Sequence, residues 1–296
     1  MNISNKWEPG IAPIAVVMIS LNEEHNLEAV FKNLKGWAQE VFLVDSYSKD
    51  KTIDIALKYG VNVVQRKFKN FGDQWNFALT LPISAKWTMK LDPDERISEE
   101  LKSSIIQATK DSNINGIELD RQWWLMKTKL SISDKVLRVW RSGQCQFSDN
   151  AVNEHPLVNG TITSVNGYLE HHDSPDLDHW LEKQNRYTSA EAINLYLNKP
   201  LAAKPKLFGD SLQRRMWVKK NFYFIPLRYV LLFFYYWLWK GLYKNGWVGY
   251  ASSRLWTDVI RLREYKYKEM KISGKLPNKK IYGIGKPDQR VSQSTD

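Results

Sequence analysis

Asp92 and Asp94, with Pro93 between them and Glu95 next, follow the apolar run Trp87-Thr88-Met89-Lys90-Leu91. Two carboxylates at this spacing in a turn can face one hard cation. Magnesium or manganese takes one or two protein carboxylates and completes its shell with phosphate oxygens and water. A solvated acidic turn capping the next helix would carry the same letters, so the pair gains weight only from its surroundings. Those surroundings are suggestive. Asp45 ends a second apolar run, Val41-Phe42-Leu43-Val44, and Asn22 and Glu23 follow a third, Ile14 to Ile19. Asp45 suits a ribose hydroxyl or the imide N–H of a pyrimidine, while Asn22 and Ser48 equally suit the N-cap of a helix. Lys183 and Arg186 are three apart and share a helix face, where they fit either a clamp on a pyrophosphate or an ordinary solvated surface. His171 and His172 precede Asp173. One of them suits a cation shell or a phosphate, but a histidine pair without a second ligand motif reads more readily as structural. Trp123 and Trp124 suit the faces of sugar rings and core packing alike.

The elements that must position these groups alternate. Strand-length apolar runs at 14–19, 41–44, 61–64 and 86–91 are separated by segments of helical periodicity at 22–37, 52–58 and 73–81, and a further helix follows at 98–109. Ser98 starts that last helix, with Glu99 and Glu100 in its first turn. This order predicts an α/β, Rossmann-like fold whose mostly parallel sheet is flanked by helices. Ligands of such sheets lie outside the carboxyl ends of the strands, which is where Asn22, Glu23, Asp45, Asp92 and Asp94 fall. From 116 to 169 the pattern reads as irregular, with short strands at 116–119 and 136–140. Residues 177–196 read as a helix.

No G-x-G-x-x-G follows the first strand and no G-x-x-x-x-G-K-[ST] loop occurs, so dinucleotide-binding and phosphate-loop sites are excluded. The residues do carry another likeness. Leu21-Asn22-Glu23-Glu24, Val44-Asp45-Ser46-x-Ser48-x-Asp50-x-Thr52, Phe71-Gly72-x-Gln74-x-Asn76-x-Ala78-Leu79 and Leu91-Asp92-x-Asp94-Glu95 occur in that order. They are followed by Leu137-Arg138-Val139-Trp140-Arg141, Val152-Asn153-Glu154, Leu169-Glu170-His171 and Lys183-x-x-Arg186-Tyr187-Thr188. Over residues 12–195 the set resembles the family-2 inverting glycosyltransferases of GT-A fold, closest to the bacterial branch of lipopolysaccharide-core β-1,4-glucosyltransferases. The resemblance implies that Asn22, Glu23 and Asp45 hold the nucleoside of a nucleotide-sugar, usually uridine. It puts Asp92 at the sugar-nucleotide, Asp94 on Mg2+ or Mn2+, and Glu154 at the catalytic base; Gln74, Lys183 and Arg186 complete the expected donor-binding set. Tyr47, Pro93 and Asn153 depart from the family's habit, and none of the three removes a carboxylate. Inverting transfer needs a base opposite the leaving group and positive charge where the diphosphate departs. The implied acceptor is a lipid-linked, lipopolysaccharide or exopolysaccharide glycan. A polyprenyl-phosphate glycosyltransferase, a nucleotidyltransferase and a non-catalytic module for an anionic surface are the rival readings.

Composition is consistent with an anionic partner. The 296 residues carry a net charge of +11, 13 tryptophans, 14 tyrosines and a single cysteine. One cysteine permits neither an internal disulfide nor a cysteine zinc site, which fits a reducing compartment. The basic excess gathers in the C-terminal third, with no recognised nucleic-acid motif, so nucleic acid is not the expected partner. Phe222 to Trp239 is almost wholly apolar and approaches the ~20 residues of a membrane span. It holds Pro226 and Arg228, however, and a central arginine costs about 2.5–3.5 kcal/mol on insertion. The expectation is a segment lying in the headgroup boundary of an anionic membrane surface, ahead of a buried core or dimer helix and of a true span. No signal-peptide pattern occupies 1–13. The expected organisation is a GT-A domain over 1–200, a helical membrane-associated region over 201–272 and a disordered tail over 273–296. The expected location is the cytoplasmic face of the inner or plasma membrane.

Overall fold

The apolar run at 14–19 forms β1 (Ala12–Ser20), and its burial explains why it does not alternate. Ile14, Val16 and Met18 pack into one core and Ala15 and Val17 into a second core on the opposite face. A strand covered on both sides has no polar side to show. In the computed structural model, which describes residues 6–147, 155–198, 204–209 and 211–277, the chain divides into two units. One comprises Met1–Lys129 and Ser133–Pro175; the other comprises Leu130–Ile132 and Asp176–Asp296.

The first unit continues with α1 (Glu24–Leu34), β2 (Ala38–Asp45), α2 (Thr52–Lys58), β3 (Asn62–Gln65), α3 (Phe71–Ala78), β4 (Trp87–Lys90) and β5 (Glu95–Ile97). It then forms α4 (Glu99–Ala108), β6 (Ile114–Leu125), β7 (Thr128–Arg141), β8 (Cys145–Phe147), β9 (Pro156–Val158) and β10 (Thr161–His172). The main sheet runs β3-β2-β1-β4-β7-β6-β10-β5. Its first four strands are mutually parallel, and β7 joins antiparallel to β4. This is the expected GT-A-like α/β fold. α1 buries Leu27, Val30, Phe31 and Leu34, one helical stripe, against the sheet. Asn70 caps α3 by accepting from the Asp73 N–H at 2.8 Å, so that helix starts slightly before the expected 73. Ser98 caps α4 as expected, accepting from the Leu101 N–H.

The stretch expected to be irregular is instead the most extended part of the sheet. β6, β7 and β10 have 12, 14 and 12 residues. The link between β6 and β7 is a two-residue loop in which Met126 and Lys127 both hold positive φ, 49° and 58°. Such primed turns are ordinarily announced by Asn-Gly or Asp-Gly, and here neither residue gives that signal. Gly167 is required by close approach: it holds φ 93°, and a Cβ there would lie 2.3 Å from the Leu101 backbone nitrogen. α4 therefore sits directly on β10.

The second unit is helical, with α5 (Leu177–Tyr196), α6 (Ser211–Asn221), α7 (Arg228–Phe234) and α8 (Gly246–Ser273). α5 and α8 are joined by polar contacts. Lys266 Nζ donates to the Asn185 carbonyl and to the Thr188 and Ser189 hydroxyls, each at 2.8 Å. Arg263 donates to Glu191 at 2.6 Å. Phe222 to Trp239 is not one helix. A 3-10 turn at Phe222–Phe224 ends before Pro226, Leu227 holds φ 51°, and α7 then runs into a π turn at Tyr235–Trp239. Among the described residues no helix is long and apolar enough to cross a membrane. The tail expected to be disordered lies, beyond residue 277, outside the described residues.

Candidate active site

Parallel pairing of β1 with β2 sets Ser20 opposite Asp45, so the two loops that leave these strands start side by side. They are then stitched together. The Asn22 N–H donates to Ser48 Oγ at 2.8 Å, the Lys49 N–H to Asn22 Oδ1 at 2.9 Å and the Glu23 N–H to Thr52 Oγ1 at 2.8 Å. Asn22 holds φ 56°, a conformation that asparagine tolerates better than most residues. The Asp45 carboxylate is fully buried. It accepts from the Ser48 N–H at 2.8 Å, from Ser20 Oγ and Gln65 Nε2 at 3.1 Å each, and from the Ser48 hydroxyl. Asp45 is thus the knot that fixes both loops. Tyr47, beside it, holds φ 63° and is exposed. Gln74, also buried, donates to Ser46 Oγ at 3.3 Å and accepts from Arg66 at 2.9 Å, tying α3 to the same loop.

The acidic turn after β4 is closed by the Glu95 N–H donating to the Asp92 carbonyl at 2.9 Å. Pro93 occupies the second position of this turn, where its fixed φ is favoured. Glu95 folds back, and its Oε2 accepts from the Asp92 N–H at 2.9 Å. Arg138, from β7, donates to Asp92 Oδ2 at 2.8 Å and to Glu95 Oε1 at 2.6 Å. Burial pushes Glu95 up, and Arg138 only partly offsets it. For Asp92 burial works in the same direction, but Arg138 and then Lys90 outweigh it and hold that carboxyl below its usual range. Sequence reasoning gave Arg138 and Glu95 no role. A charged residue inside the apolar run Val136 to Trp140 was the available signal, since a buried arginine requires carboxylate partners.

Asp94 points to a different set of groups. Antiparallel pairing of β5 with β10 sets His171 opposite Glu95, and the His172 N–H donates to the Asp94 carbonyl at 2.8 Å. The His171 Nδ1 therefore lies 3.5 Å from Asp94 Oδ1, and its Nε2 lies 3.6 Å from Asp173 Oδ1. Burial works against an imidazolium here, but Asp94 and Asp173 overcome it and push the pKa of His171 up to about 10. The same negative surroundings favour any cation, whether a proton or a divalent ion. One ligand atom from each of Asp94, His171 and Asp173 can be chosen so that all lie within 4.8 Å of one another. That spacing is close to the ~4 Å that separates opposite ligands of an octahedral ion with 2.0–2.1 Å bonds. A carboxylate on one ring nitrogen of a ligating histidine also orients the other nitrogen. The residues thus fit a small hard cation. The histidine that the sequence ranked low is the one brought to the aspartate.

Trp123 and Trp124, one strand over, pack on these histidines. Trp123 meets His171 edge-on with ring centroids 4.8 Å apart, and Trp124 meets His172 at 4.7 Å. The Trp123 Nε1–H donates to Asp134 at 2.8 Å. The two tryptophans hold the imidazoles rather than filling the core.

Residues 15–123 match the family model described as Glycosyl transferase family 2. This part of the chain is a glycosyltransferase family 2 domain. An uncharacterized glycosyltransferase of Rickettsia typhi is 21% identical over 284 residues, covering 88% of this chain and 89% of that protein. One of Rickettsia bellii is 36% identical over 92 residues, covering 31% of each. Among solved structures, S. aureus TarS 1-349 in complex with UDP-GlcNAc is 13% identical, with a TM-score of 0.40, over 90% of this chain and 93% of that one. The glycosyltransferase domain match runs from within β1 to near the end of β6 and includes Asn22, Glu23, Asp45, Gln74, Asp92 and Asp94. Arg138, His171 and Asp173 lie beyond it. Lys183 and Arg186 are on α5, in the second unit. Glu154 lies outside the described residues.

Proposed function

We propose that the chain transfers a sugar, with inversion, from a nucleotide-sugar to a lipid-linked or lipopolysaccharide-type glycan. The donor in this reading is a UDP-sugar. The observation that carries it is the meeting of Asp94 with His171 and Asp173 at the end of β4, in a domain of glycosyltransferase family 2.

In this reading the stitched loops carrying Asn22, Glu23 and Asp45 support the nucleoside, and Asp45 acts through the shape it imposes on them. Gln74 holds the same loops from the side of α3. Asp94 and His171 would hold Mg2+ or Mn2+, with Asp173 setting the tautomer of His171. That ion supplies charge neutralisation where the diphosphate departs. Arg138 and Lys90 keep Asp92 ionised, and Arg138 with Glu95 keeps the turn rigid, so the ligand geometry exists before the donor arrives. The acceptor hydroxyl attacks the anomeric carbon, its proton passes to the Glu154 carboxylate, and the bond from that carbon to the diphosphate oxygen breaks. Lys183 and Arg186, three apart on α5, are assigned to the pyrophosphate by their charge and spacing alone.

Calorimetry of the full chain with UDP, GDP and CDP, each with and without Mn2+, tests the donor half. Manganese-dependent binding of UDP in preference to the others is expected. Absence of binding to every nucleoside diphosphate would overturn the reading. NMR of the product formed from an α-linked donor tests the stereochemistry, and a β-linkage is expected.

A further inference from the structure

The second unit turns an apolar stripe outward. Leu227, Val230, Leu231, Phe234, Tyr235 and Leu238 are all well exposed, at steps of three, one, three, one and three residues. These steps trace one face of a helix. The opposite face turns inward: Tyr229 bonds to Glu264, Phe233 meets Tyr250, and Tyr236 meets Trp256. A helix facing only water shows the reverse arrangement, with polar residues outside. The stripe also extends past its own helix. Trp239 is 84% exposed and Trp247, in the first turn of α8, is 70% exposed.

The charge along this stretch of chain has one sign. From Ser211 to Thr257 the chain holds eight lysines and arginines and no aspartate or glutamate. Arg228 is committed to Glu264 at 2.8 Å and Lys219 to Glu191 at 3.3 Å. Lys240 and Lys244 are exposed at the end of the stripe, each over a tyrosine ring, at 5.8 and 6.0 Å. α7 and the π turn together have 7 and 5 residues, a length of ~18 Å at 1.5 Å per residue. This is far short of a ~30 Å hydrocarbon core, so the segment suits lying along a surface and not crossing it.

We infer that this face is a docking surface for an anionic lipid bilayer. The leucine and phenylalanine side chains enter the boundary between headgroups and acyl chains, the tyrosine and tryptophan rings sit at headgroup depth, and Lys240 and Lys244 meet lipid phosphate. The basic side chains of this stretch complement the anionic headgroups of a bilayer. The inference stands on the second unit alone and does not rest on the proposed transfer reaction.

Flotation of the full chain with phosphatidylcholine vesicles, with and without phosphatidylglycerol, tests it. Binding to the phosphatidylglycerol vesicles that weakens with salt is expected. The double variant Leu231→Glu/Leu238→Glu should lower that binding at least about tenfold with an unchanged circular dichroism spectrum. Lys240→Gln and Lys244→Gln should each lower it about fivefold and flatten its salt dependence. No binding to anionic vesicles, or equal binding by the double variant, would overturn the inference. So would a stable dimer in light scattering that the double variant splits, because a second copy would then be the occupant.

Discussion

Arg138 Nη2 lies 2.6 Å from Glu95 Oε1, and the two side chains are 6% and 0% exposed. Neither charge is solvated enough to stand alone, so the pair is a single structural unit, and its second contact is the first carboxylate of the acidic turn. Removing one partner strands the other. Arg138→Ala should cost about 3–5 kcal/mol in urea unfolding, and Glu95→Gln should cost less because the amide still accepts a hydrogen bond. If Arg138→Ala unfolds at the wild-type midpoint, the pair does not hold the turn.

Asp94→Ala should leave the fold intact and abolish both sugar transfer and the response to manganese. Wild-type stability should rise by about 2.7 kcal/mol when Mn2+ stands at a hundred times its dissociation constant, and the variant should show no such rise. Asp173→Ala should weaken the ion about tenfold to a hundredfold without abolishing its binding. Differential scanning fluorimetry across a manganese titration reads all three chains. A full manganese shift in Asp94→Ala would remove that residue from the ion.

Glu154→Gln should lower the transfer rate by about 10²–10⁴ and leave UDP affinity unchanged, because a base acts on the acceptor and not on the donor. Single-turnover kinetics with calorimetry separates the two effects. A loss of UDP affinity as large as the loss of rate would assign Glu154 to the donor instead.

Acid should loosen the second unit through Glu264. Burial alone would push that carboxyl up, but Lys268, Tyr229 and Arg228 hold it down to about 2. A depressed carboxyl contributes its full stabilisation above its ordinary range, and this is lost as pH falls from about 4.5 toward 2. Thermal midpoints should therefore fall more steeply over that window in the wild type than in Glu264→Gln. Parallel curves for the two chains would show that this cluster is not what acid titrates.

The parallel half of the sheet was legible because β1, β2 and β4 are largely buried on both faces and its helices carry clean stripes. Leu27, Val30, Phe31 and Leu34 predicted α1, and Ser98 predicted the start of α4. The antiparallel half was not legible. Its strands alternate only weakly, and the Met126-Lys127 turn carries no glycine or asparagine. That loss hid the site as well. His171 meets Asp94 through the register of β5 on β10, and register between segments some 75 residues apart leaves no mark in local periodicity. Arg138 was visible only as an anomaly inside an apolar run. Asp92, Asp94, Asp45 and Asn22 could be read because each ends or follows a strand whose end the sequence announces.

The stretch from Ser211 to Thr257 lacks histidine as well as aspartate and glutamate. Its charged side chains are therefore lysine and arginine alone, with no histidine among them to act as a pH switch. Attachment through this face would be tuned from the other side, by how many anionic lipids the bilayer presents and how much salt screens them.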